Sequence, residues 1–324
     1  MSARKTELYQ NYQERNRKNV PKNSMKKIIV ITGCTATGKS ALSVELAKRM
    51  NGEVISADSM AIYRGMDIGT AKITPEETDG IIHHMIDIVD PNVRFTVAEY
   101  QNIALKIIDE IFKKGKVPII CGGTGLYINS LLYKMNFSTF DEELKQKISQ
   151  MSKEITKEEL WDYLYSLDPE RAEQLSVNDT KRVSRAIEIA LSNSKSNEDE
   201  TQIKRFDALI YILNGDRQEI YERINKRVDI MIQNGLVDEV KSLLESGIPF
   251  ESQAIQGIGY KEIATYINGE CSKEEAIETV KQKSRNYAKR QLTWFKRYYP
   301  EAKYLDYKAP IENVKTIVED YNGK

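Results

Sequence analysis

A parallel α/β sheet core, interrupted by a helical insertion and followed by a helical C-terminal region, is the fold that this sequence predicts. Three observations carry the prediction. Short β-branched runs recur at residues 28–32, 54–57, 117–121 and 206–213, bounded by turn residues and spaced by amphipathic stretches, as parallel strands with crossover helices require. The first run ends in Gly33-Cys34-Thr35-Ala36-Thr37-Gly38-Lys39-Ser40, a loop that opens a helix. Between residues 137 and 204 the strand signals stop and helical periodicity dominates.

The loop at 33–40 organises the rest. Gly33 and Gly38 permit backbone angles that turn successive amide N–H groups around an anion, and the following helix points its positive end at the same place. Lys39 adds a mobile cation and Ser40 a hydroxyl suited to Mg²⁺. A strand, this loop and a helix together make the core P-loop NTPase-like and its ligand a diphosphate or polyphosphate. The loop alone leaves the ligand's identity open.

The elements follow in order. Leu42, Leu46 and Ala47 lie on one face of the first helix, which stops at Asn51-Gly52. Residues 54–57 form a short buried strand that delivers Asp58 and Ser59 at its C-terminal tip, the end at which open parallel sheets bind ligands. Residues 66–72 read as a polar loop and 85–90 as another short strand. Ile103, Ile107, Ile108 and Ile111 repeat at helical spacing until Gly115. The strand at 117–121 then leads into Gly122-Gly123-Thr124-Gly125, where the glycines allow close backbone approach to a ligand and Thr124 offers a hydroxyl.

The chain divides at the sequence level into a leader (1–24), the first part of the core (25–136), the insertion (137–204), core completion with a basic helical region (205–299) and a peripheral C-terminus (300–324). Helices are expected at 158–167 and 179–191, with a polar loop at 192–200. In a helix at 221–232, Arg223 and Arg227 sit four apart and project from one side, able to clamp a phosphate or to pair with nearby acids. The helix at 271–299 carries seven basic residues and no acid from Lys281 onward, with Trp294 and Phe295 as its core positions.

Lys and Arg number 48, as do Asp and Glu, so a neutral protein carries one locally basic helix, which points to a polyanionic partner. The three cysteines are far apart and the two histidines, His83 and His84, are adjacent, a spacing that gives no zinc or disulfide framework. The His pair reads as structural. No run has the length of a membrane span and the leader lacks a signal peptide's apolar stretch, so a cytoplasmic protein, monomeric and without membrane contact, is expected.

The chain resembles the tRNA dimethylallyltransferase (IPP transferase) family. The resemblance runs in order through the loop at 33–40, Val54-Ile55-Ser56-Ala57-Asp58-Ser59, residues 62–72, Gly122-Gly123-Thr124-Gly125-Leu126-Tyr127, Asn178-Asp179, Lys181-Arg182-Val183-Ser184-Arg185-Ala186, Ile258-Gly259-Tyr260-Lys261 and residues 287–294. Cys34 stands where the family usually has proline, Lys261 where many members have arginine, and no C-terminal zinc finger is present.

The resemblance implies dimethylallyl diphosphate in the cradle of Gly33, Cys34, Thr35, Ala36, Thr37, Gly38, Lys39 and Ser40, with Mg²⁺ on Ser40 and Arg223 and Arg227 neutralising the leaving group. Asp58 is the implied general base toward adenosine N6, with Thr124 holding the amine or the base in position; Lys39 and Arg223 complete the catalytic set. The anticodon stem-loop of tRNA is the implied partner, contacted by Asp58, Ser59, Met60, Ala61, Thr124, by Lys181, Arg182, Val183, Ser184 and Arg185, by Gln256, Gly257, Ile258, Gly259, Tyr260 and Lys261, and by Lys289 and Arg290. Prenylation of free adenine nucleotides, a small-molecule kinase that binds ATP, and a non-enzymatic RNA-binding protein are the alternatives. The basic helices argue against the first, and Asp58 beside the loop against the last.

Overall fold

The structure, a computed structural model, describes residues 25–135, 137, 142–192 and 203–323. The leader at 1–24 and the polar stretch at 193–200 lie outside the described residues. Two compact units are present, one of Met1–Leu132 with Lys204–Lys324 and one of Tyr133–Ile203.

The first unit is built on a six-stranded sheet. Strands β1 (Lys27–Gly33), β2 (Gly52–Ser56), β3 (His83–His84), β4 (Val117–Cys121), β5 (Asp207–Asn214) and β6 (Lys303–Asp306) run in the order β3-β2-β4-β1-β5-β6. Every pairing is parallel, with Ile29 opposite both Ile119 and Leu209. Side chains alternate across β1. Ile29 and Ile31 pack with Leu42, Leu46 and Ala47 of α1 (Lys39–Met50) and with Val314 and Ile317 of α13 (Pro310–Asn322). On the other face, α3 (Val97–Lys113) contacts β2 and β4, and α12 (Lys273–Tyr298) contacts β1.

Local signals set the helix ends. Asn51 closes α1 in the left-handed conformation at φ 49°. Thr96 and Glu99 form a capping box at the start of α3, as Ser272 and Glu275 do for α12. The buried face of α3 is Tyr100, Ala104, Ile108 and Ile111; Ile103 is exposed, one residue off the expected stripe.

Two expectations are corrected. The strand expected at 85–90 is absent, because Met85 and Asp87 take positive φ (64° and 53°) and turn the chain, leaving β3 at His83–His84 and a single bridge from Val89 to Tyr63. Residues 300–324, expected to be peripheral, supply β6 and α13, whose Val314 and Ile317 are fully buried against the sheet.

The histidines have structural partners. His84 Nε2 lies 2.7 Å from the buried carboxylate of Glu53, and Ile81's carbonyl lies 2.9 Å from His83 Nδ1. Four further helices complete this unit: α4 (Gly125–Leu132), α9 (Arg217–Gln233), α10 (Leu236–Glu245) and α11 (Tyr260–Ile267), besides the single turn α2 (Pro75–Thr78).

The elements described in the second unit are all helices, α5 (Glu142–Glu154), α6 (Lys157–Leu167), α7 (Pro169–Glu173) and α8 (Thr180–Leu191). Its core gathers Ile148, Leu160, Leu164, Ala172, Val183 and Ile187, and Trp161 donates its indole N–H to the carbonyls of Ala172 and Leu175. Asp179 caps α8 by accepting from the Arg182 amide.

Candidate active site

The site sits where the sheet's connections diverge. From β1 the chain crosses to β2 on one side, while from β4 it passes to β5 on the other, so the C-terminal ends of neighbouring β1 and β4 form the sheet's topological switch point, where open parallel sheets bind ligands. The phosphate loop follows β1 and the loop Gly122-Gly123-Thr124-Gly125 follows β4. Gly33 (φ 137°) and Gly38 (φ 79°) take the angles that only glycine adopts without strain.

The phosphate loop is held from several directions. Lys39 donates to its own loop at the Cys34 carbonyl (2.6 Å), which also accepts from the Thr37 hydroxyl (2.9 Å). From α9, Arg227 donates to the Thr35 hydroxyl (3.0 Å) and Arg223 Nε to the Ala36 carbonyl (2.8 Å). Arg223 is exposed and lies against the Tyr307 ring, so it grips the loop's outer rim; Arg227 is more deeply set. Cys34 turns its thiol away from the cradle into a pocket of Ile220, Ile224 and Ala288, where burial raises its pKa.

Asp58 stands two residues beyond Ser56, the end of β2, its Oδ1 accepting from the amides of Met60 (2.8 Å) and Ala61 (3.3 Å). Thr124 donates its amide to the Ala57 carbonyl, and its hydroxyl accepts from the Ser59 amide at 3.1 Å. Electrostatics join these groups to the loop. Burial lowers the pKa of Lys39, and the Asp58 carboxylate is among the groups that oppose it. Burial likewise lowers that of Arg227, again opposed by Asp58. Two half-buried cations with one nearby carboxylate make a site that favours an incoming anion.

Two residues without an expected role complete the site. Gln291 of α12 accepts from the Thr35 amide (3.0 Å) and donates to the Gly123 carbonyl (3.0 Å). Tyr287, one turn earlier, has its phenol pushed up to about 12 by burial and then by the Asp58 carboxylate, while Thr124 and Gln291 hydrogen-bond to it. The glycines of the β4 loop report the same packing. A Cβ at Gly123 would overlap the Gln291 amide and one at Gly125 the Trp294 indole, so they admit α12, where close approach to a ligand was expected. Trp294 is only half-buried, whereas Phe295 is fully buried as expected of a core position.

Of the residues implied as tRNA contacts, several side chains are enclosed. Tyr260 is buried and donates its hydroxyl to Glu239 at 2.5 Å; that carboxylate also accepts from the amides of Asp67, Ile68 and Gly69. Val183 belongs to the core of the second unit, Ala61 is buried, and Gly259 is the buried N-cap of α11. Ser59, Met60, Gly257, Ile258, Ser184 and Lys261 are half-buried, and Gln256, Lys181, Arg182, Lys289 and Arg290 are exposed. Arg185 pairs with Glu188 at 2.5 Å. The basic run of α12 is partly neutralised by Lys281 with Asp229, Lys283 with Glu262 and Arg285 with Glu278. A groove of about 650 Å³ opens beside Thr37, Gly38, Arg223, Tyr307 and Val314, but Asp58 and Thr124 do not line it.

Residues 61–298 match the model of a protein family described as IPP transferase. The chain belongs to the IPP transferase family. It is 50% identical over 289 residues to a tRNA dimethylallyltransferase of Clostridioides difficile, covering 87% of this chain and 93% of that one. A tRNA dimethylallyltransferase of Acetivibrio thermocellus is 49% identical, with 91% and 93% covered. Among solved structures, the tRNA delta(2)-isopentenylpyrophosphate transferase of Staphylococcus epidermidis superposes with a TM-score of 0.70 at 45% identity, over 92% of this chain and 99% of that one. A eukaryotic dimethylallyltransferase acting on tRNA gives a TM-score of 0.76 at 31% identity, over 87% and 74%. For this IPP transferase, no helix among the described residues is long and apolar enough to cross a membrane.

Proposed function

We propose that the chain transfers a dimethylallyl group from dimethylallyl diphosphate to N6 of adenosine 37, 3′ of the anticodon in tRNA, as a cytoplasmic monomer. The observation that carries this reading is the Asp58 carboxylate, joined to Thr124 through the neighbouring Ser59 amide, close enough to the half-buried cations Lys39 of the phosphate loop and Arg227 of α9 to act on both, in an IPP transferase chain. Diphosphate in the loop draws Lys39 from the Cys34 carbonyl to its oxygens. Lys39 and Arg227 then stabilise the negative charge that builds as the carbon–oxygen bond breaks and the electron pair leaves with diphosphate. The N6 lone pair forms the new carbon–nitrogen bond, and Asp58 takes the N6 proton through its free Oδ2.

Ser40, in the first turn of α1, is exposed, and no group of three His, Cys, Asp or Glu that could hold a metal occurs among the described residues. Mg²⁺ fits this donor set as an ion held by Ser40, water and the diphosphate itself. When bound, it neutralises charge on the leaving group. Lys181, Arg182, Lys289 and Arg290, exposed and basic, are the side chains that fit RNA phosphates.

The test is transfer of labelled dimethylallyl from its diphosphate to an unmodified anticodon stem-loop and, in parallel, to AMP, each with and without Mg²⁺. Label on the stem-loop is expected. Label on AMP alone replaces this reading with free-nucleotide prenylation, and label on neither sends the phosphate loop back to a kinase with ATP as its ligand.

A further inference from the structure

We propose that Gln291 is the positioning residue that couples the leaving-group cradle to the acceptor side of the site. The inference rests on the prenyl-transfer reading above. Thr35 N–H can only donate and the Gly123 carbonyl can only accept, so one buried amide, with Oε1 toward Thr35 and Nε2 toward Gly123, satisfies both at 3.0 Å and has a single orientation. The two loops it joins leave the C-terminal ends of β1 and β4, the strands at the switch point.

The connection continues on both sides. Toward the leaving group, Thr35 is also held by Arg227. Toward the acceptor, Thr124 follows Gly123, its hydroxyl meets the Ser59 amide, and Ser59 follows Asp58. Diphosphate entering the loop therefore pulls on a chain of hydrogen bonds that ends at the residue taking the N6 proton. Gly123 lacks a side chain because the amide occupies that space. A transfer between two substrates needs its reacting atoms placed to within a fraction of an ångström, and Gln291 sets that spacing from a position with no reacting group of its own.

The experiment compares wild type, Gln291→Leu and Gln291→Glu by hydrogen–deuterium exchange with and without inorganic diphosphate, and by steady-state transfer to the anticodon stem-loop. In wild type, diphosphate should slow exchange in residues 33–40 and also in residues 122–127; in Gln291→Leu it should slow only the first. Turnover should fall roughly 100-fold in Gln291→Leu with KM for the stem-loop unchanged. If the leucine variant does not melt cooperatively, Gln291→Glu carries the test, since it keeps the acceptor for Thr35 and loses the donor toward Gly123. Protection of 122–127 that is the same in wild type and variant, or absent from wild type, overturns the inference. A wild type that shows the coupled protection but prenylates no stem-loop overturns the proposed function and leaves the coupling standing.

Discussion

Arg227 donates to the Thr35 hydroxyl at 3.0 Å, so a helix 192 residues downstream holds the phosphate loop that opens the fold. Its guanidinium is set deep enough for burial to lower its pKa, whereas Arg223 on the same helix is exposed and reaches only the Ala36 carbonyl. Arg227→Ala should therefore raise KM for dimethylallyl diphosphate by about 10- to 100-fold, the loss of a charge-assisted hydrogen bond of about 1.5–3 kcal/mol, and Arg223→Ala by less. Steady-state kinetics on both variants check the order. Equal effects would mean that Arg223 also turns inward when the leaving group is bound.

Asp58 uses one carboxylate oxygen, Oδ1, to cap the turn at Met60 and Ala61, and the proposed base is the other, Oδ2. Asp58→Asn preserves the turn's acceptor while removing the base, so turnover should fall by about two to four powers of ten with stem-loop affinity intact. A single-turnover assay beside an equilibrium binding assay separates the two. Retained turnover would remove Asp58 from the role of base.

Lys289 and Arg290 have no acidic partner among the described residues, whereas Lys283 is held by Glu262 at 2.7 Å. Replacing Lys289 and Arg290 with glutamine should weaken stem-loop binding and reduce the slope of log affinity against log salt by about one per lost phosphate contact. Lys283→Gln should leave that slope alone and lower stability, because it strands the buried Glu262 carboxylate. Titrations at several salt concentrations, paired with thermal melts, distinguish the two outcomes.

What the sequence disclosed depended on distance along the chain. β1, the phosphate loop and α1 are legible because glycine placement, β-branching and helix caps act within a dozen residues. Gln291 escaped because its role consists of two contacts to loops 168 and 256 residues away. Its signal was present in Gly123 and Gly125, which report a close approach without saying what approaches. β6 escaped for a different reason: it has four residues, Lys303–Asp306, at the sheet's edge and largely exposed, and so lacks the apolar run that marks the inner strands. At Tyr260 the motif carries position but not burial, and the side chain is enclosed against Glu239.

Whether Tyr260 serves the fold or the RNA is testable. Tyr260 donates to Glu239, whose carboxylate gathers three consecutive amides of the 67–69 loop. Tyr260→Phe should cost about 1–3 kcal/mol of stability, since the bond is to a charged acceptor, with no loss of stem-loop affinity. Denaturant melts and binding titrations on the same preparation decide it. Weakened binding at unchanged stability would return Tyr260 to the RNA surface.

Glu53 gives the pH dependence. Burial alone would raise its pKa, but hydrogen bonds from His84, Lys116 and Lys114 outweigh that and hold the carboxyl at about 2, below its ordinary 4.5. A carboxyl depressed in the folded state contributes stability that is fully present above pH 4.5 and is lost as pH falls toward about 2. Glu53→Gln should accordingly destabilise the protein at neutral pH by about 2 kcal/mol, less than a fully enclosed pair because Lys114 and Lys116 can turn to water. The difference between wild type and variant should shrink as pH falls from about 4.5 toward 2, since protonation makes the wild-type side chain as neutral as glutamine. Denaturant unfolding at a series of pH values measures that difference directly. A gap that stays constant through this range would mean that Glu53 serves the fold by shape alone, with no contribution from the charge on β2 next to its histidine.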